Sequence, residues 1–454
     1  MRRALVSNHP LFVGCGHMKI IIAGAGASGL AAATWLAKLG HEVEVFEATD
    51  HAGGRAKIAK RPQSDDLFDV GTQYFHSNYK RARSLLRDCG LHKDLHMING
   101  PTRFFDKRKK SGSFLVHHWF PYIASGSIWD NIRLIFSGGW QMLRHPINPY
   151  AVGNYDDIDA KSAKELVPNE FEWEYNARAL ISVGSLVEPD QIEEKQSYLQ
   201  VLRLMRIIVP TNYLSLNHGM PAFQEAMAAK LKVHYNTPIS SLIMKGEKVG
   251  GIVTAGGETI EADHTILAMP PSATSAIIPD DWATEQDFLQ SISHPPMMVV
   301  TLFLDRPLNT KVWSYVFRED ADKLISFCVD GAKRNPHMAP SGRAALQAWI
   351  CYPACEKLSA LSDDEITITV AVELQEHFPD IQNQIEHSHV QRHAQSVPQA
   401  KPGHNAAARS FLKQVDQRDG IEFCGDYFSG GYLECALWSS ERAVSRITGK
   451  KGFY

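Results

Sequence analysis

The chain has 454 residues, of which 47 are Lys or Arg and 50 are Asp or Glu, so its formal net charge is −3. This near balance of charge removes the bulk electrostatic basis for binding nucleic acid. The chain is 44 % hydrophobic and 21 % charged, which excludes a disordered protein because enough apolar surface is available to offset the entropy lost on folding. Its length suits about three average domains, or fewer large ones.

The first residues and the cysteines indicate the cellular location of the protein. Met1-Arg2-Arg3 is basic, but polar residues and Pro10 interrupt the stretch that follows, so we expect no secretory signal. We predict an N-terminal extension over residues 1–17, with the start of translation, at Met1 or Met18, left open. Seven scattered cysteines with one close pair, Cys351 and Cys355, give no complete zinc motif. We therefore expect no metal site and a cytoplasmic location.

The first predicted unit is a strand, a glycine turn, a helix and a second strand. These are the β-branched run Lys19–Ala23, the turn at residues 24–29, the helical stretch Leu30–Leu39 and the alternating Glu42–Glu47. Ile20–Ala37 carries no charge and is of marginal length for a membrane span. Three glycines within it explain its composition better than lipid does, so we predict a βαβ unit.

The glycine spacing in this unit predicts dinucleotide binding. Gly24 permits a tight turn, Gly26 lets the backbone approach a pyrophosphate, and Gly29 lets the helix pack closely on the strand. The N–H groups at the start of the helix would meet the phosphate charge. Glu47, at the end of the second strand, would accept hydrogen bonds from the ribose hydroxyls.

The middle of the chain reads as mostly helical from residue 78 to 213. Within it, Lys107–Lys110 suggests a solvated hairpin tip, with contact to lipid headgroups as the alternative. The aromatic stretch Trp119–Leu143 is interpreted as core or tunnel lining, since its interior Asp130 and Arg133 oppose membrane spanning.

Strand patterns return after the helical region, and a helix ends the chain. The predicted strands are Leu231–Ile243, Glu261–Met269, Met297–Leu304, Val312–Phe317, Leu324–Val329, Ala344–Tyr352 and Glu422–Asp426, and the predicted helix is Glu434–Ile447. We expect the four strands between Met297 and Tyr352 to form a sheet of their own.

Two further segments carry a resemblance to a known family. Glu47–Arg55 places a glycine pair and a forked phosphate-binding Arg after the second strand, and Phe68–Phe75 reads Asp-Val-Gly-Thr-Gln-Tyr-Phe in its last seven positions. Both resemble the flavin-containing amine oxidase superfamily, which includes monoamine and polyamine oxidases, protoporphyrinogen oxidases, renalases and phytoene-desaturase-type enzymes. Similar blocks recur in the family's order at Asn217–Phe223, Val233–Ile239, Phe423–Asp426, Gly431–Ala436 and Ser439–Ala443.

The resemblance implies FAD as the cofactor, together with the residues that hold it. They are Gly24, Gly26, Ala27, Ser28, Gly29, Glu47, Ala48, Gly54, Arg55, Gly71, Thr72, Gln73, Tyr74, Ile239, Gly425, Asp426, Tyr432, Leu433 and Ala436. It also makes Tyr432 the candidate catalytic residue, because monoamine oxidases place an aromatic side chain there beside the substrate. A packing role under the flavin is the alternative for Tyr432.

Two departures from the family pattern concern the flavin. The region that carries the flavin-linking cysteine of monoamine oxidases, here Gln395–His404, has no Cys, so we expect non-covalent FAD. Many amine oxidases of the family place a Lys near flavin N5, yet Pro296–Leu302 has none. The absence of this Lys weakens the case for the simple amine substrate that the family name suggests.

The predicted fold is α/β, with a Rossmann-like FAD-binding domain interleaved with a mixed sheet-plus-helical substrate domain. We assign residues 18–77, 214–284 and 395–454 to the first domain, and residues 78–213 and 285–394 to the second. The predicted partners are a small-molecule substrate and oxygen or another electron acceptor, with no nucleic acid, and peripheral membrane contact is not favoured.

The predicted activity is transfer of a hydride to flavin N5 from a C–H bond next to nitrogen, in an amine or nitrogen heterocycle. The alternatives are a desaturase or protoporphyrinogen-oxidase-like enzyme on a larger apolar substrate, and a non-catalytic protein like the GDP-dissociation inhibitors. Exposure of Trp119–Leu143 would favour a membrane-associated enzyme, and burial a small substrate.

Overall fold

The computed structural model describes residues 16–105, 112–117, 128–166, 178–187, 195–208, 211–317 and 323–453. Its helices are α1 Ala27–Lys38, α2 Lys80–Asp88, α3 Ile128–Arg144, α4 Asp156–Asp159, α5 Arg178–Ser185, α6 Tyr198–Ile208, α7 Pro221–Ala228, α8 Pro271–Ser275, α9 Ala283–Ser291, α10 Gly331–Arg334, α11 Asp363–Leu374, α12 His404–Val415 and α13 Leu433–Thr448. Its strands are β1 Lys19–Ala23, β2 Glu42–Phe46, β3 Ile58–Lys60, β4 Leu67–Asp69, β5 Phe75–His76, β6 Leu95–Met97, β7 Thr102–Phe105, β8 Ser113–Val116, β9 Tyr213–Leu216, β10 Lys232–His234, β11 Ile239–Lys245, β12 Lys248–Thr254, β13 Thr259–Glu261, β14 His264–Leu267, β15 Met297–Leu304, β16 Ser314–Phe317, β17 Phe327–Asp330, β18 Ala345–Ile350, β19 Ile385–His393 and β20 Ile421–Phe423.

A five-stranded parallel sheet, in the order β10-β2-β1-β14-β20, carries the predicted glycine turn. The three isoleucines of β1 are fully buried, which explains the uninterrupted apolar run of that strand. The predicted stretch Leu231–Ile243 is two strands, because Asn236 adopts a positive φ of 52° between them. As a result β10 joins this sheet, while β11 pairs with β12 in a separate antiparallel sheet of three strands.

Helices α1 and α13 lie against each other beside the parallel sheet. Small side chains make up much of the buried surface of α1, including Ala31, Ala32 and Ala33. The hydroxyl of Ser440 in α13 donates to the carbonyl oxygen of Ser28 in α1 at 2.8 Å. The predicted C-terminal helix is therefore confirmed, and it brings the end of the chain to the first glycine turn.

The largest sheet has seven strands in the order β19-β15-β18-β17-β16-β7-β8. Its four central strands match the predicted group between Met297 and Tyr352. The edge strand β19 was missed, because its sequence is rich in polar residues and His and does not alternate clearly. Strands β7 and β8 lie on either side of the predicted Lys107–Lys110 hairpin tip, in a region otherwise predicted to be mostly helical, and they pair antiparallel as a hairpin requires. Strand β7 extends the sheet by pairing in parallel with β16.

The interpretation of Trp119–Leu143 as core is wrong for four of its described side chains. Trp129, Phe136, Trp140 and Leu143 of α3 are between 62 % and 79 % exposed. An aromatic stretch has the same composition whether its side chains are buried or exposed, so composition could not distinguish these two cases. Trp119 and the Lys107–Lys110 turn lie outside the described residues. Within the described ranges, no helix has both the length and the apolar character needed to cross a membrane.

Candidate functional site

The turn between β1 and α1 requires glycine at two positions and opens onto free space at a third. Gly24 has a φ of +105°, and a Cβ atom there would lie 2.8 Å from the carbonyl oxygen of Ala268. At Gly29 a Cβ atom would lie 2.0 Å from the carbonyl oxygen of Gly24. At Gly26, the N-cap of α1, an added Cβ atom would meet nothing within 4 Å. The helix start, with Ala27 and Ser28, thus has room beside it for an anion.

A second glycine turn packs directly on the first. The N–H of Gly53 donates to the carbonyl oxygen of Ala25 at 3.0 Å. Gly54 has a φ of +60°, and a Cβ atom there would lie 3.5 Å from the Cα atom of Gly26. The predicted glycine pair is therefore adjacent to the first glycine turn.

The carboxylate of Glu47 is fixed by three hydrogen bonds at the edge of the first turn. It accepts from the N–H of Ala25 at 2.8 Å, and from the N–H and the hydroxyl of Thr49 at 3.0 and 2.8 Å. Thr49 was not predicted as a site residue, although a hydroxyl two positions from an acid is a recurring local hydrogen-bonding arrangement. Ala48 between them is exposed. Glu47 also contacts the loop between β10 and β11, since its carbonyl oxygen accepts a hydrogen bond from the N–H of Thr237, two residues before Ile239.

Arg55 joins the second glycine turn to the C-terminal part of the chain. Its guanidinium donates to the carboxylate of Asp426 at 2.6 Å and to the carbonyl oxygen of Ser396 at 2.6 Å. Gly425 holds Asp426 in place, because its N–H donates to the hydroxyl of Ser439 at 2.8 Å. Two predicted residues 371 positions apart are thus brought together as an ion pair.

One histidine at this ion pair was not predicted. Burial lowers the pKa of His294 to about 4, while the charges of Asp426 and Arg55 act on it in opposite directions. The side chain is therefore neutral at pH 7. Nothing in the local sequence of His294 distinguishes it from the other histidines of the chain.

The predicted segment Gly71–Tyr74 forms a third turn against the second. The N–H of Thr72 donates to the carbonyl oxygen of Arg55 at 3.2 Å, and a Cβ atom at Gly71 would lie 1.9 Å from that oxygen. The amide of Gln73 donates to the side-chain oxygen of Gln347 at 3.1 Å. Gln347 belongs to β18, so this turn is held against the seven-stranded sheet.

Four rings, Tyr74, His76, Tyr213 and Tyr432, form what we call the ring cluster. Ring centroids lie 4.8 Å apart for Tyr74 and Tyr213, 5.1 Å for His76 and Tyr213, and 6.3 Å for His76 and Tyr432. Burial lowers the pKa of His76 to about 3, and burial is also the main cause that raises the pKa of Tyr432 above its usual range. The ring cluster is therefore uncharged at pH 7.

The first turn of α13 completes the set of predicted residues. Tyr432 is its N-cap, and the Tyr432 hydroxyl donates to the carbonyl oxygen of Gly184 at 3.4 Å. Leu433 is partly buried and Ala436 is buried in the turn that follows. No group of three or more His, Cys, Asp or Glu residues that could hold a metal ion occurs in the part of the chain that the structure describes.

Comparison with known proteins gives one family and a shared fold. A family model described as flavin containing amine oxidoreductase matches residues 27–448. The 15-cis-phytoene desaturase of Capsicum annuum is 23 % identical over 447 residues, covering 92 % of this chain and 75 % of that protein. The coproporphyrinogen III oxidase of Bacillus subtilis is 23 % identical over 468 residues, covering 92 % and 94 %. The structure of a putrescine oxidase bound to putrescine aligns with a TM-score of 0.74 at 20 % identity, covering 96 % of this chain and 99 % of the other, which establishes the fold alone.

Proposed function

The chain belongs to the flavin-containing amine oxidoreductase family, and from this premise we propose that it oxidises an uncharged amine or nitrogen heterocycle. It is an FAD-dependent oxidoreductase, so the non-catalytic alternative is set aside. The proposed step removes a hydride from a C–H bond next to nitrogen. The electron pair and the hydrogen leave together, and the substrate becomes an iminium or an unsaturated ring. FAD, when bound, supplies the two-electron acceptor at its N5 atom.

The residues present suit FAD. We propose that the glycine turn and the start of α1 bind the pyrophosphate, because the space in front of Gly26 is open and no side chain caps the helix. Glu47 would bind the ribose with the carboxylate lone pair that Thr49 and Ala25 leave free. Arg55 and Asp426 would bind the phosphate and the polyol chain between them.

The remaining predicted residues would surround the rest of the cofactor. The backbone of Ile239 would border the adenine, and the turn Gly71–Tyr74 would border the flavin ring with the first turn of α13. By the same reasoning, the proposed FAD-binding domain consists of segments 18–77, 214–284 and 395–454. The proposed substrate domain consists of segments 78–213 and 285–394.

The uncharged ring cluster is the observation that carries the proposed substrate class. A protonated amine placed there would lose its hydration without gaining a carboxylate among these four side chains. A neutral amine or a nitrogen heterocycle loses far less, and its ring or alkyl group packs on the aromatic faces. Tyr432 would orient the substrate, since its hydroxyl is already used on Gly184.

A larger, unsaturated apolar substrate is the second candidate. Two observations favour it: the exposed aromatic face of α3, and the absence of Lys from β15, Met297–Leu304. The sequence relatives named as a phytoene desaturase and a coproporphyrinogen III oxidase point in the same direction. A porphyrinogen belongs to this second candidate, since it has extensive apolar surface and the C–H bonds it would lose lie on bridging carbons that are not bonded to nitrogen.

Anaerobic bleaching of the flavin tests both candidates. The holoenzyme is mixed without oxygen with amines, pyrrolines, porphyrinogens and isoprenoids in turn, and loss of the oxidised flavin absorbance is followed. We expect bleaching by an amine or a pyrroline, at a rate that for an amine rises with pH as the substrate loses its proton. Bleaching by porphyrinogens or isoprenoids, and by no amine or pyrroline, would overturn the proposal and support the second candidate.

A matched pair of variants tests the role of Tyr432. Tyr432→Phe keeps the ring and should retain most of the bleaching rate, whereas Tyr432→Ala should lower it at least tenfold. Equal rates in the two variants would contradict an orienting role for the ring. Reoxidation of the bleached enzyme by oxygen or by an artificial acceptor then identifies its electron acceptor.

A further inference from the structure

One face of α3 presents large apolar side chains to solvent. Trp129, Phe136, Trp140 and Leu143, which we call the α3 face, are 69 %, 74 %, 62 % and 79 % exposed. Their spacing of seven, four and three residues places them within an arc of about 60° at 100° per residue, along about 21 Å of helix. They therefore form one continuous stripe rather than isolated surface residues.

Hydrogen bonds on α6 fix the orientation of α3. The hydroxyl of Tyr198 donates to the side-chain oxygen of Gln141 at 2.7 Å. The guanidinium of Arg206 donates to the carbonyl oxygen of His145 at 3.0 Å and to that of Met142. The inner side of α3 is thus held on α6 while the α3 face stays outside, so rotation of the helix does not bury it.

We propose that the α3 face docks the enzyme on the surface of a lipid bilayer. Two indole rings, 11 residues apart, combine an apolar body with an N–H group, which is the side-chain chemistry found at the headgroup level of membranes. Phe136 and Leu143 supply purely apolar groups for the acyl boundary. The exposed Arg144 at the end of the helix adds a cation suited to anionic headgroups.

The size of the α3 face favours lipid over a second copy of the chain. Four side chains of this kind expose on the order of 500 Å² together. A stable interface between two protein copies buries about 800 Å² on each partner. An interfacial helix needs no matching protein surface, because lipid adapts to protruding side chains.

The position of α6 relates the α3 face to the candidate active site. The buried apolar side chains of α6 belong to the same hydrophobic cluster as the ring of Tyr432. Docking through α3 would therefore place the bilayer on the side of the molecule where α6 packs towards Tyr432. That arrangement suits a substrate dissolved in lipid, but docking itself does not depend on the substrate proposed above.

Vesicle binding of the holoenzyme tests the proposal. Protein is sedimented with vesicles of phosphatidylcholine, with and without phosphatidylserine, and compared with the variant Trp129→Ser/Trp140→Ser. We expect the wild type to bind, more strongly with the anionic lipid, and the variant to lose at least tenfold in partitioning. The matched control Ile368→Ser/Val372→Ser removes two exposed apolar side chains of α11, 63 % and 55 % exposed, and should bind like the wild type.

Three outcomes would overturn lipid docking. They are failure of the wild type to bind either vesicle, equal binding by both double variants, and a gel-filtration dimer that only Trp129→Ser/Trp140→Ser dissociates. A second readout is quenching of tryptophan fluorescence by brominated lipid, which should fall in Trp129→Phe/Trp140→Phe while that variant still binds. Bleaching by a water-soluble substrate should be the same in all variants, so failure of docking and failure of the proposed oxidation are distinguishable.

Discussion

Substitution of two glycines in one turn separates cofactor binding from folding. Gly26→Ala places a methyl group where no protein atom lies within 4 Å, on a backbone with φ −77° and ψ 178° that alanine adopts freely. The free energy of unfolding should change by less than about 1 kcal/mol, because the loss of a glycine N-cap is offset by the lower entropy of the unfolded chain. The methyl group would occupy the approach to the pyrophosphate, and we expect FAD affinity to fall at least ~100-fold, or about 2.7 kcal/mol.

Gly29→Ala should lower the stability of the folded protein, which Gly26→Ala should leave nearly unchanged. Its methyl group would lie 2.0 Å from the carbonyl oxygen of Gly24. Such a contact normally needs about 3.3 Å, so the backbone must move by more than about 1 Å. We expect a loss of roughly 1–3 kcal/mol, seen as a fall in melting temperature on the order of 5 °C in the protein without FAD.

Both effects are measured on protein freed of FAD. Thermal unfolding reports stability, and quenching of FAD fluorescence during titration reports affinity. Gly139→Ala is the control, since a Cβ atom there also meets nothing within 4 Å but lies in α3. Unchanged FAD affinity in Gly26→Ala would refute the assignment of the pyrophosphate site, and Gly29→Ala as stable as Gly26→Ala would refute the steric account.

The remaining predictions concern Glu47, the flavin linkage and the buried histidines. Thr49→Val should weaken FAD binding about tenfold in the same titration, because one hydrogen bond that orients the Glu47 carboxylate is lost; wild-type affinity would contradict that role. Acid precipitation should release all flavin into the supernatant, whereas flavin in the pellet would disprove non-covalent binding. Burial lowers the pKa of His76 to about 3 and of His294 and His404 to about 4. In this pH range each of these histidines takes up a proton only when the protein unfolds. Their contribution to the free energy of unfolding is therefore complete above pH 6.5 and is lost as the pH falls towards 4, by roughly 1 kcal/mol per pH unit for each. A melting temperature independent of pH across this range would contradict that account, and His294→Gln should make the melting temperature less dependent on pH.

The sequence predicted the parts of the site that depend on neighbouring residues. Gly24, Gly26 and Gly29 act through local geometry, so their spacing was enough to predict the turn that the structure contains. Glu47 follows for the same reason, because the strand before it fixes its distance from the turn. These relations span fewer than 25 residues and need no knowledge of how distant segments pack.

Relations between distant segments could not be predicted in this way. The hydrogen bond between Gln73 and Gln347, and the closeness of His294 to Asp426, arise from packing of separate segments. The exposure of Trp140 likewise depends on which side of α3 meets α6. Edge strand β19 lacked a clear pattern because, among the described strands, none pairs with its outer side, and its polar side chains meet solvent.

The Arg55 and Asp426 pair explains why the proposed site needs both ends of the chain. An arginine next to a pyrophosphate supplies charge, but a half-exposed side chain also has many conformations to lose on binding. Asp426 and the carbonyl oxygen of Ser396 each use one N–H group and leave three others, so the guanidinium is held in place before any phosphate arrives. Gly425, Ser439 and Ser440 in turn tie Asp426 and α13 to α1. The C-terminal helix therefore orders the residues proposed to bind phosphate in the N-terminal segment, and disruption of that helix should release FAD even if the glycine turn itself is intact.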